Sequence, residues 1–165
     1  THDQEEALAL SDRIGLMRQG RIEQNAVPQE IYRLPVSAYV ADFVGAANVI
    51  PVAVSGHADP AGPLVVSLAG TPLTARAPQA LAAGKAVLIA RPEDLALTRA
   101  AGSANSLAGA VFRKQYLGGR TNYRIRLGDG TVLAVDLHGP AHDGHAEGEA
   151  VFVTFDPGKT LVTPS

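Results

Sequence analysis

The chain has 165 residues, enough for one ordinary hydrophobic core or for two small ones in series. Its formal charge of −2 at pH 7, from 14 basic and 16 acidic residues, supplies no global drive toward nucleic acid or an anionic membrane. With no cysteine there is no disulfide framework, thiolate metal site or thiol nucleophile, and no apolar run approaches the roughly 20 residues of a membrane span.

The opening "THDQEEALAL" carries a helix start. Asp3 suits the N-cap, Glu6 closes a D-x-x-E capping box, and Glu5 and Glu6 place negative charge in the first turn. The spacing predicts a short helix over 3–12, with Ala7, Leu8 and Leu10 toward its packed side. His2 then stands just outside a helix N-terminus, a place suited to meeting an anion. A strand over 13–17 and another over 21–24 follow, joined by "RQGR", where Gly20 supplies a positive φ. Pro28 fits the first position of a helix, "PQEIYRL", which Pro35 stops. Ser37 caps a last helix, "AYVADFVG", ended by Gly45; Tyr39, Val40, Phe43 and Val44 form its packed face.

After Asn48 the pattern changes to short β-type runs separated by Gly and Pro, at 49–54, 64–68, 72–75 and 86–91. A strand over 95–98 follows a tight "PED" corner. "ANSLAGAV" then opens a second series, at 107–116, 121–127, 132–137 and 150–155. Alternation is clearest in the middle pair, where Tyr123, Ile125 and Leu127 face inward and Asn122, Arg124 and Arg126 outward. Across the "GDG" turn, Leu133, Val135 and Leu137 repeat the inward set. Many short antiparallel strands at even spacing predict a small barrel or sandwich, with no helical period beyond Gly45.

Together, the helix-start histidine, "RIGLMRQGRIEQ", "PQEIYRLP" and "YVADFVGAANVI" closely resemble the end of the ATPase domain of ATP-binding-cassette (ABC) importer subunits. "ARPEDLALT" and "YLGGRTNYRIRLGDGTVLAV" resemble the transport-associated OB (TOBE) regulatory domain of the same subunits. The resemblance covers almost the whole chain and implies a mainly β fold. An OB-like TOBE barrel would occupy residues 46–165, after a small α+β tail of the nucleotide-binding domain over 1–45. It implies that His2 is the switch histidine, touching the γ-phosphate of ATP and the attacking water, with Mg2+ also bound in the intact subunit. It further implies a homodimer, transmembrane permease subunits, a solute-binding protein and a cytoplasmic place on the inner face of the membrane. Polyamine and ferric-iron importers are the most similar. No G-x-x-x-x-G-K-[ST] loop and no apolar run ending in Asp-Glu is present. The expectation is therefore a C-terminal part of an ATPase subunit, inactive alone, with Thr1 not a natural start. One departure falls at Ala26 and Val27, where the family pattern has Gly and a capping Thr, so the helix from Pro28 is expected to start more loosely.

Three other constellations compete. His138, His142 and His145, with Asp143 and Glu147 nearby, have a spacing that can gather imidazoles, but they sit on a loop and read more simply as polar loop residues. Arg113, Lys114, Arg120, Arg124 and Arg126 interleave with Phe112, Tyr116 and Tyr123, a composition that can bind single-stranded nucleic acid. Tyr123 alternates onto the apolar face, away from Arg124 and Arg126, so the run reads more simply as the solvated side of a hairpin. Gly118, Gly119, Arg120 and Thr121 offer backbone N–H groups and an arginine suited to a small anion, the strongest rival to a purely structural regulatory barrel.

Overall fold

The computed structural model describes residues 4–56, 59, 62–102 and 105–165. His2 and Asp3, and hence the expected cap and switch position, lie outside the described residues. The N-terminal segment consists of α1 (Gln4–Leu10), a hairpin of β1 (Ile14–Arg18) and β2 (Arg21–Ala26), and helices α2 (Pro28–Arg33) and α3 (Ala38–Phe43). In the hairpin turn both Gln19 and Gly20 take positive φ, 50° and 77°, the sense of twist that two-residue connections require. α2 begins after Val27, which gives no side-chain cap, and Pro28 sets its first turn. α3 is capped by Ser37, whose Oγ accepts from the Val40 amide at 3.4 Å. Leu16, Ala26, Ile31, Val40 and Val44 form a small core of their own.

The rest is β. The first series gives β3 (Asn48–Val54), β4 (Pro63–Leu68), β5 (Thr71–Arg76), β6 (Gly84–Ala90) and β7 (Leu95–Thr98), with a single 3-10 turn over Pro92–Asp94 where the "PED" corner is. The second gives β8 (Ser106–Tyr116), β9 (Arg120–Leu127), β10 (Val132–His138), β11 (Ala150–Phe155) and β12 (Leu161–Pro164). They form two five-stranded sheets, ordered β3-β6-β12-β5-β4 and β10-β9-β8-β11-β7. The inward alternation holds: Tyr123, Ile125, Leu133 and Val135 are fully buried in one core that both sheets share.

Two expectations need correction. β12 was not legible in the sequence, because it has four residues and ends on a proline that limits pairing. It also breaks the all-antiparallel pattern, running parallel to β5 at Leu161 and Arg76 while pairing antiparallel with β6.

The sheet orders reveal an internal repeat with an exchange. In each series the first strand pairs with the fourth (β3 with β6, β8 with β11). The fifth strand of each then lies beside the fourth strand of the other: β12 beside β6, and β7 beside β11. Neither series is a closed unit, since each sheet is completed by a strand from the other. The hairpin β8–β9 packs tightly at Gly109, where a Cβ would stand 2.8 Å from Ile125 Cγ2 and 2.9 Å from the Arg126 carbonyl oxygen.

Candidate functional site

The N-terminal segment is tied to the sheets through one side chain. β6 delivers Arg91 at its end, and only 5% of that residue is exposed. Its Nη1 donates to the carbonyls of Ala41 at 3.0 Å, Gly45 at 2.8 Å and Ala46 at 3.4 Å, and its Nη2 to that of Tyr32 at 3.1 Å. These acceptors lie in and just beyond α2 and α3, where carbonyls lack intrahelical donors and cationic groups are favoured. The guanidinium also rests over the Tyr32 ring, 4.1 Å from its centroid. Burial pushes Arg91 below its ordinary value, opposed by the neighbouring Tyr32, Glu93 and Asp94. A planar fork that serves several acceptors at once and stays charged when buried is the property that distinguishes arginine from lysine here.

The surroundings support it. The Tyr32 hydroxyl donates to Glu93, and burial together with that carboxylate pushes the phenol up to about 12, so it remains a donor. Gly45 has φ 149°, and a Cβ there would stand 3.3 Å from the Tyr32 ring, so a side chain would crowd the junction. Beside Arg91 lies a cleft of about 570 Å³, walled by Tyr32–Pro35 on one side and by Arg76, Asp94 and Lys159 on the other, with Ile89 and Leu161 among its lining residues. Arg91, within "ARPEDLALT", is not among the site residues expected from the sequence. The available signal was an arginine directly after the apolar run "AVLIA", where a charge must be buried with partners.

The other candidate groups are held in a single loop system. Thr121 is fully buried, with Oγ1 2.7 Å from His142 Nδ1, and the Tyr123 hydroxyl donates to the His142 carbonyl at 2.8 Å. Tyr116 stacks on the His142 ring at 5.5 Å. His145 is buried against Glu149 at 3.0 Å, and Glu149 also meets Arg99 at 2.8 Å. Lys114 Nζ donates to the Asp143 carbonyl, and its backbone N–H to Glu147 at 2.9 Å. His138 is exposed at the end of β10. His142 and His145 thus serve as hydrogen-bonding struts of the 139–149 loop, and no cluster of three or more metal-ligating side chains occurs among the described residues. Gly118 has φ 76° in the turn before β9, where Arg120 pairs with Asp136 at 3.4 Å. Arg126 stacks on Phe112 at 3.8 Å and Arg113 stands opposite Arg124, while Tyr123 points into the core, away from all of them.

The TOBE domain family matches residues 88–162, from β6 to β12, with Arg91 inside the match. The spermidine/putrescine import ATP-binding protein of Methylococcus capsulatus is 41% identical over 99% of this chain and 43% of its own length. Over almost its whole length the chain is thus similar to one part of an import ATP-binding protein. A second spermidine/putrescine import ATP-binding protein, from Pseudomonas aeruginosa, is 40% identical over 91% of the chain and 40% of its own length. The Fe(3+) ions import ATP-binding protein of Rhizobium etli is 41% identical over 82% of the chain and 37% of its own length. The chain therefore spans about two fifths of the length of the importer subunits it matches. Among solved structures, the cytoplasmic molybdate-binding protein ModG matches with a TM-score of 0.59 over 72% of this chain and 96% of its own, at 18% identity. That likeness establishes the fold, an OB-type TOBE barrel as the resemblance implied. Arg91 thus lies inside the TOBE match and grips the segment in front of it.

Proposed function

We propose that this chain is the C-terminal part of an ABC importer ATPase, with residues 46–165 forming its regulatory TOBE barrel and residues 1–45 ending its nucleotide-binding domain. The observation that carries the reading is the match of 41% identity over 99% of the chain, which spans both segments. Two structural features support it. Leu10, Met17 and Ile22 of the N-terminal segment are 77%, 59% and 62% exposed, a surface suited to packing against the rest of an ATPase domain. Arg91 joins the same segment to the barrel through several hydrogen bonds, the kind of tie a regulatory domain needs to its ATPase domain.

In the intact subunit ATP and Mg2+ bind elsewhere in the nucleotide-binding domain, and His2 contacts the γ-phosphate and orients the attacking water. Two subunits close on ATP, hydrolysis reopens them, and permease partners in the membrane convert the cycle into import of a polyamine, ferric iron or a related solute delivered by a binding protein. The barrel contacts its twin and regulates the cycle from the inner face of the membrane. Among the described residues no helix is long and apolar enough to cross a membrane itself. The chain alone lacks a phosphate loop and hydrolyses no ATP.

Single-turnover hydrolysis and nucleotide affinity, measured on the full-length subunit and its His2→Ala variant, test this reading. Loss of one preorganised contact slows hydrolysis roughly a hundred- to a thousand-fold, while nucleotide affinity changes far less. Near-normal hydrolysis in the variant, or vanadate-sensitive turnover by the present chain alone, overturns it.

A further inference from the structure

The cleft beside Arg91 has an uneven charge balance. Its two carboxylates are already engaged: Glu93 accepts from the Tyr32 hydroxyl, and Asp94 pairs with Lys159 at 2.8 Å. Two guanidinium groups are not. Arg76 donates to the Gly158 carbonyl at 3.3 Å and has no carboxylate partner among the described residues, and Arg33 has neither a hydrogen bond nor an ion pair among them. Arg33 is also near enough to oppose the protonation of Lys159, which places positive charges from α2 and from the β11–β12 turn on one rim. Leu34, which is 37% exposed, supplies apolar surface at the mouth, over a floor closed by the buried Ile89 and Leu161. A cleft of about 570 Å³ is in the range of pockets that hold small organic ligands.

We propose that this cleft binds a small organic oxyanion, its charged group held by Arg33 and Arg76 and its apolar body lying on Leu34. Charge complementarity selects the anion, because each guanidinium can offer two parallel N–H donors to a phosphate or carboxylate. The apolar lining selects against a bare inorganic ion, which leaves that surface wet. Arg33 belongs to α2 and Arg76 to β5, so the ligand joins the N-terminal segment to the barrel and reinforces the tie that Arg91 makes. Binding requires neither ATP nor a membrane partner, so this site stands or falls separately from the importer role.

The test is a heteronuclear NMR titration of the chain with phenyl phosphate, beside inorganic phosphate and benzyl alcohol. Saturable shifts of the Ile89, Gly158 and Leu161 amides with phenyl phosphate are expected, with both comparison compounds about tenfold weaker or worse. Arg33→Gln and Arg76→Gln each weaken phenyl phosphate about tenfold, while their spectra otherwise match wild type. If Arg76→Gln does not fold, Arg33→Gln and the comparison compounds carry the test. No saturation by about 10 mM, shifts centred on the 117–121 turn, equal binding of inorganic phosphate, or unchanged affinity in Arg33→Gln each overturns the proposal.

Discussion

Asn48 and Asn105 stand at equivalent points of the two strand series and make the same contact in opposite directions across the molecule. Asn48 Nδ2 donates to the Ala134 carbonyl at 2.8 Å, and its Oδ1 accepts from the Ala134 amide at 2.7 Å. Asn105 Nδ2 donates to the Thr74 carbonyl at 2.7 Å, and its Oδ1 accepts from the Thr74 amide at 2.8 Å. Each primary amide behaves as a piece of backbone, adding one rung between sheets that no strand pairing connects. Both residues are buried, so their replacement would leave two backbone groups without partners.

Asn48→Ala and Asn105→Ala should therefore each lower stability by about 2 kcal/mol, read from urea unfolding. Asn48→Asp should be at least as harmful, because a carboxylate cannot donate to the Ala134 and Ala90 carbonyls that Nδ2 now serves. An aspartate variant as stable as wild type would show that the rung is not structural.

Arg91→Ala should cost about 3 kcal/mol, since it strips a donor from several buried carbonyls. Arg91→Lys should recover only part of that loss, because an ammonium cannot span the Tyr32 and Gly45 carbonyls with one planar group. Thermal unfolding measures the size of the effect. Amide exchange then asks whether α2 and α3 lose protection before the sheets, as a severed tie requires.

Gly109→Ala should destabilise the barrel by about 1–3 kcal/mol, because the new methyl meets the Ile125 side chain and the rigid Arg126 carbonyl. Pairing it with Ile125→Val should relieve part of the loss. Denaturant midpoints of the two single variants and the double variant decide the point.

Glu149 gives the loop over 139–149 an acid-sensitive support. The Ala146 amide, then His145 and Arg99, hold its carboxyl down at about 2 from an ordinary 4.5. Because the folded value is the lower one, the stabilisation is present above pH 4.5 and fades as pH falls toward about 2. Glu149→Gln should accordingly be less stable than wild type at neutral pH, with the two converging across that acid window. Tm measured as a function of pH reports it, and curves that stay parallel through the window would rule the support out.

The sequence by itself determined most of the local structure. Strand faces followed from alternation, the hairpin turn from Gly20, and the start of α3 from Ser37, because each is set by groups within a few residues of one another. The family was legible for the same reason, in short motifs along the chain. What only the tertiary structure decided was pairing between distant segments. The four residues of β12 carry no local signal, yet they insert between β6 and β5, and β7 crosses to β11 in exchange. Arg91 in sequence is a charge after an apolar run. Its partners Tyr32, Ala41 and Gly45 lie 46 or more residues away, and only folding brings their carbonyls to one guanidinium. Local propensity acts over one turn or one strand, whereas these contacts depend on where the shared core places each strand end.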